Sequence, residues 1–165
     1  MVDVATYAFD QPVIWAGFVS GEVCYALVDG KVHFPGRSDA PLVAHDGLLC
    51  ATVALDGKSL LSGGEEGRVV RTNLEGTETL AEEPGQWIDT IAAGPHGACA
   101  FAARRKVWLV HDGTVRRIDH ERAVEGLAFA PKGLRIAAAR YKGVSLHWAA
   151  QQGDPVSLDW DGAHT

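Results

Sequence analysis

Two stretches decide how this chain folds: Leu48–Leu74, LLCATVALDGKSLLSGGEEGRVVRTNL, and Val124–Ala149, VEGLAFAPKGLRIAAARYKGVSLHWA. Each reads as an apolar run, a turn, a second run, a glycine turn and a third run. Gly57 to Gly67 is ten residues, and so is Gly133 to Gly143. Runs of about five or six residues suit strands and are too short for helices. Between the two, Trp87–Val110 (WIDTIAAGPHGACAFAARRKVWLV) follows the same plan without a glycine before its third run. Upstream, Val13–Phe34 (VIWAGFVSGEVCYALVDGKVHF) is a shorter, more divergent copy.

The period is about 38 residues, and each unit holds four apolar runs separated by Gly, Asp, Asn or Pro turns. A helical solenoid of that period needs two runs of about ten residues with apolar spacing of three and four, and none is present. A four-stranded unit of about 40 residues is a propeller blade. The expected fold is therefore all-β: four four-stranded antiparallel blades over 12–45, 47–82, 86–119 and 123–160, forming part of a seven- or eight-bladed ring. Residues 1–165 read as one such segment, with 3–9 (DVATYAF) as an extra strand-like piece able to close a ring.

The bulk properties agree. A chain of 165 residues can bury one core, and 47% hydrophobic with 22% charged is ordinary for a globular domain. Nineteen glycines in short clusters favour many tight turns. The net charge of -6 argues against a duplex nucleic-acid binder, which carries a basic surplus. No apolar run reaches the ~18 residues that span a bilayer, and MVDVATYAFDQPV lacks the basic-then-apolar pattern of a secretory leader. Cys24, Cys50 and Cys99 are odd in number, lack metal spacing and read as buried strand thiols. The expected location is the cytoplasm.

Particular residues carry a family resemblance. Phe129-Ala130-Pro131-Lys132-Gly133 resembles the Phe-Ser-Pro-Asp-Gly turn of WD-repeat proteins, and Leu55-Asp56-Gly57 and Gly94-Pro95-His96-Gly97 are degenerate copies. Trp148 lies five residues after Gly143, where that family carries the Trp of its Trp-Asp pair; Thr72-Asn73 and His111-Asp112 stand at the same place in other units. His45, His120 and His164 fall at the family's Gly-His element. The chain is similar to the N-terminal half of a divergent bacterial WD-repeat protein.

The resemblance implies a non-catalytic protein-interaction scaffold. It also implies a buried His, Ser/Thr, Asp and Trp hydrogen-bonded set, from which this sequence departs. The second unit offers His45, Ser62 and Glu66 with Thr72 for Trp. The fourth offers His120 and Trp148 with Ala139 and Lys142 for Ser and Asp. A half-satisfied buried network is costly, so apolar packing is expected to replace it in these two units, and the full network is expected in none. Three closures stay open: a piece of a larger propeller, two copies sharing an eight-bladed ring, or a four-bladed ring closed by 3–9.

Enzymatic motifs are missing. Glu65-Glu66 and Glu82-Glu83 fall at turns, and seven scattered histidines show no HxH, HExxH or CxxC spacing. No serine sits in a G-x-S-x-G elbow. Gly63–Gly67 is glycine-rich but precedes a strand, which makes it a hairpin turn and not a phosphate loop. No catalytic residue, cofactor or metal is expected. An enzyme or metal site in the channel, or nucleic-acid binding through a local basic cluster, remains the alternative.

By the resemblance, one face gathers the loops before each first strand and between the second and third. It contains the expected partner-binding residues Trp87, Arg104, Arg105, Lys106, Arg122, Arg140, Tyr141 and Lys142, with Glu65 and Glu66 as an acidic patch. Aromatic plus arginine is the composition of interface hot spots. The expected partner is a protein or peptide, a second copy or the rest of a ring, and not a membrane.

Overall fold

The computed structural model describes residues 4–149 and 153–161. Among these residues sixteen strands form four separate four-stranded sheets, each an antiparallel meander in chain order. The first holds β1 (Val13–Val19), β2 (Glu22–Leu27), β3 (Lys31–His33) and β4 (Leu42–Val43). The second holds β5 (Leu48–Val53), β6 (Leu60–Gly64), β7 (Arg68–Thr72) and β8 (Thr77–Glu82). The third holds β9 (Thr90–Ala93), β10 (Cys99–Ala103), β11 (Lys106–His111) and β12 (Thr114–Asp119). The fourth holds β13 (Val124–Phe129), β14 (Arg135–Arg140), β15 (Gly143–Trp148) and β16 (Val156–Asp159). These are propeller blades, all-β as the apolar rhythm required.

The first strands β1, β5, β9 and β13 pack in succession, while β1 and β13 share no comparable contact. The four sheets thus form an open arc. Residues 4–9, expected as a strand-like closing piece, carry no strand. Instead the Phe9 ring lies 5.3 Å from Tyr25 and 4.8 Å from His33, and Tyr7 lies 5.9 Å from Tyr25, all centroid to centroid. Aromatic contact onto the first sheet replaces ladder pairing there. Residue 3 and His164 lie outside the described residues.

The core is laminated between successive sheets. Cys24, Ala26 and Val32 of the first sheet meet Leu48, Leu60 and Val70 of the second. Val69 and Ile88 meet Phe101 and Trp108, whose rings stack at 5.2 Å and 8°. Ala102 and Val107 meet Val124 and Ala138, and Ala100 and Leu109 meet Ile136. Alternation along each strand sends neighbouring residues to opposite sheet faces, so every inner sheet serves two cores.

Three of the sheets share a bulge at the second residue of the first strand: between Val13 and Trp15, Leu48 and Cys50, and Val124 and Gly126. The bulges put those three ladders in common register. The Gly-Pro-His-Gly turn of the third sheet is a single 3-10 turn over Pro95–Gly97 with His96 at φ 55. Glycine is required at Gly67, which has φ 90 and where a Cβ would strike the Glu83 carbonyl. All three thiols are free, in β2, β5 and β10, and burial pushes Cys24 and Cys50 up to about 12 and Cys99 to about 11.

Candidate functional site

The second sheet carries the polar set that the sequence led us to discount. Neutral His45, held below its ordinary pKa by burial, donates from Nδ1 to Glu66 Oε1 at 2.6 Å. Its Nε2 accepts from the Ser62 hydroxyl at 2.8 Å. Burial works against the Glu66 charge, but His45 and Arg68 (Nε to Oε1, 3.1 Å) hold its carboxyl below the usual range. Three of the four expected members are therefore joined, a correction to the expectation that packing alone replaces them. Thr72, in the tryptophan's place, is buried and its hydroxyl has no partner.

The fourth sheet is shifted. In the second sheet Leu60 pairs with Thr72 across a three-residue hairpin, Glu65-Glu66-Gly67. In the fourth, Ile136, the residue matching Leu60, pairs with His147 across a two-residue hairpin, Tyr141-Lys142. His147 and not Trp148 thus occupies the buried Thr72 position. Trp148 points the other way, 52% exposed, with the Arg135 guanidinium 5.3 Å from its ring centroid. The residue matching Ser62 is Ala138, not Ala139. A one-residue slip reverses every side chain on a strand, which is why a glycine-based alignment misplaces this one.

A cavity of about 540 Å³ opens here, lined by the 119–122 connection, the 140–142 hairpin and β16. On its floor Ser145 Oγ meets His147 Nε2 at 2.9 Å, and the His120 ring packs edge-on to His147 at 5.2 Å. Burial, then His120 and Arg116, bring His147 down to about 4, so its imidazole is neutral at pH 7. His120 is lowered by burial and by Arg140, and its Nε2 is buried without a hydrogen-bond partner. Ser145 and His147 have the spacing of a nucleophile and base. However, so acidic an imidazolium makes a weak base, and among the described residues no carboxylate hydrogen-bonds to the ring.

The cavity gathers four of the eight residues singled out in the sequence: Arg122, Arg140, Tyr141 and Lys142. Tyr141 is half exposed, with the Arg122 guanidinium 5.5 Å and the Lys142 ammonium 5.7 Å from its ring centroid. Arg140 is committed inward, to Asp159 Oδ1 at 2.7 Å, clasping β14 to β16. Arg104 and Arg105 form the adjoining hairpin, their carbonyls accepting from the Val124 and His120 amides at 2.7 and 2.8 Å. Lys106 opens β11 beside them. Trp87 is 65% exposed on the second-to-third sheet connection and lines no part of this cavity. Ser145, His147 and Asp159 are among the lining residues that sequence reading missed, as are Asp119, Glu121 and Ser157; alternation in GVSLHW, which puts Ser145 and His147 on one face, was the available signal for the first two.

Among the described residues no group of three His, Cys, Asp or Glu could hold a metal ion, and no helix is long and apolar enough to cross a membrane. No protein-family model matches the chain, and no curated protein matches it in sequence. Solved structures do match. A chain from the crystal structure of the mitotic checkpoint complex superposes with a TM-score of 0.71 over 92% of this chain, at 14% identity. The match covers 53% of that chain, so the present sequence spans about half its length. At such identity the likeness establishes the fold alone.

Proposed function

We propose that this chain is a non-catalytic, cytoplasmic scaffold of the WD-repeat type that docks an acidic protein segment at the hairpin cleft of its fourth sheet. The observation that carries this reading is the Arg122–Tyr141–Lys142 cluster, an aromatic ring flanked by two cations at the mouth of a cavity. Arg and Tyr in a concave, partly desolvated setting are the residues on which binding energy concentrates. Arg104 and Arg105 on the adjoining hairpin add two cations beside Arg122 and Lys142, so an acidic peptide would run along the hairpin tips and away from the cavity's own carboxylates, Asp119, Glu121, Asp159 and Asp161. The weak basicity of His147, brought down to about 4, and the burial of Ser145 in a strand favour binding over turnover.

The test is fluorescence anisotropy of a labelled panel of Asp/Glu-rich peptides against the folded chain. Binding weakens with added salt, and the combined change Arg122→Ala, Tyr141→Ala, Lys142→Gly lowers affinity at least about tenfold with an unchanged melting temperature. Glycine is chosen at Lys142 because its φ of 64 suits glycine best. Peptide binding that is indifferent to this triple change would place the docking face elsewhere.

A further inference from the structure

The third and fourth sheets present the same four residues on corresponding faces. In the third, Ala100 pairs with Leu109 and Ala102 with Val107, and this face is buried against the fourth sheet. In the fourth, counted from the equivalent two-residue hairpin, Ala137 pairs with Leu146 and Ala139 with Val144. The residue types are identical. On the fourth sheet no other sheet of the described residues packs on this face, and β16 extends it with Val156 and Leu158, 58% and 54% exposed.

What the matching face receives can be read from the third-to-fourth interface: Val124, Leu127, Phe129, Ile136 and Ala138. The first sheet carries a corresponding set. Its bulge puts Val13, Ala16, Phe18, Val23 and Tyr25 at the same ladder positions. Val13 and Phe18 are the same residue types as Val124 and Phe129, and Val23 stands for Ile136. This face is exposed at its first strand, with Phe18 67% exposed, while the Tyr7 and Phe9 rings lie against Tyr25 and His33 farther across the sheet. The arc keeps the two faces of one molecule apart.

We propose that the uncovered face of the fourth sheet docks the first sheet of a second copy of this chain, and reciprocally. Two such head-to-tail contacts related by a two-fold axis close eight sheets into one ring, within the four to eight blades that propellers adopt. Each contact repeats a packing the chain already makes internally and removes two apolar sheet faces from water.

Sedimentation equilibrium of the full chain over a wide concentration range tests this. The expected result is one species at twice 17.6 kDa. Phe18→Glu and Leu158→Glu each raise its dissociation constant at least about 30-fold while circular dichroism is unchanged. Should either glutamate variant fail to fold, Phe18→Ala, at a site already exposed, still weakens the dimer about tenfold. A monomer at all concentrations overturns the proposal, as does a dimer sensitive at only one of the two faces, or an open-ended ladder of oligomers. Phe18 is in another sheet and Leu158 faces the side of β16 opposite to the cleft residues Ser157 and Asp159, so failure here and failure of the peptide test are separate results.

Discussion

The second and fourth sheets share a meander and a bulge but differ by one residue in the hairpin between their middle strands. The longer hairpin of the second places Glu66 where it can accept from His45, and the result is a joined His–Ser–Glu set with Arg68 outside it. The shorter hairpin of the fourth has Lys142 near the corresponding place and turns His147 inward, so two histidines face each other with no acid between them. The same scaffold therefore yields a joined His–Ser–Glu set in one sheet, with Thr72 and one Glu66 oxygen left over, and a polar pocket without an acid partner in another. The pocket is where the proposed docking cleft opens. Hairpin length, more than residue identity, sorts structural polar groups from available ones.

The largest test of that claim uses the tryptophans. The two-residue hairpin of the third sheet puts Trp108 at the position of Ser145, buried and stacked on Phe101. Trp108→Ala is expected to cost about 3–5 kcal/mol in urea unfolding. Trp148→Ala, with its ring outside the core over Arg135, is expected to cost under about 1 kcal/mol. Equal losses would mean that Trp148 is a core residue after all and that the one-residue shift is wrong.

The next test sets histidine against histidine. His45→Ala removes the imidazole from Ser62, which keeps only a 3.4 Å bond to the Val70 carbonyl, and from Glu66, which keeps Arg68, and is expected to cost about 1–3 kcal/mol by the same measurement. His120→Ala removes a ring nitrogen that has no partner and is expected to cost less than half as much. A reversed order would break the contrast between the committed and uncommitted sheets.

The smallest effect is one of slope. His147 titrates near 4 when folded and near 6.5 when unfolded, so the unfolded chain binds more protons between those values. Stability is then fully present above about 6.5 and falls as pH drops towards 4. His147→Gln should flatten that decline over the window, read as the urea midpoint against pH. An unaltered slope would show that His147 is free to charge in the folded state.

The blade rhythm was legible because it is local. Short apolar runs and turn glycines such as Gly57 and Gly133 (φ 70 and 76) each act within a few residues. The register of the fourth sheet was not legible, because its hairpin turns on a lysine with positive φ and so hides its length. Aligning Gly143 with Gly67 then displaced Trp148 and Ala138 by one. The loop face could be named from the resemblance, and Arg122, Tyr141 and Lys142 do share a cavity. That Arg140 is spent on Asp159 depends on a strand pairing nineteen residues away in the chain, which no local pattern encodes.

The three thiols have a practical consequence. Cys24, Cys50 and Cys99 sit one to a sheet in the first three, buried or nearly so and too weakly acidic to react while the sheets stay packed. Alkylation must wait for opening. In a molecule whose sheets pack chiefly on their neighbours, stability is closer to a chain of coupled units than to one block. The order in which the cysteines become labelled under native conditions would therefore report, without any engineered probe, which end of the array breathes first.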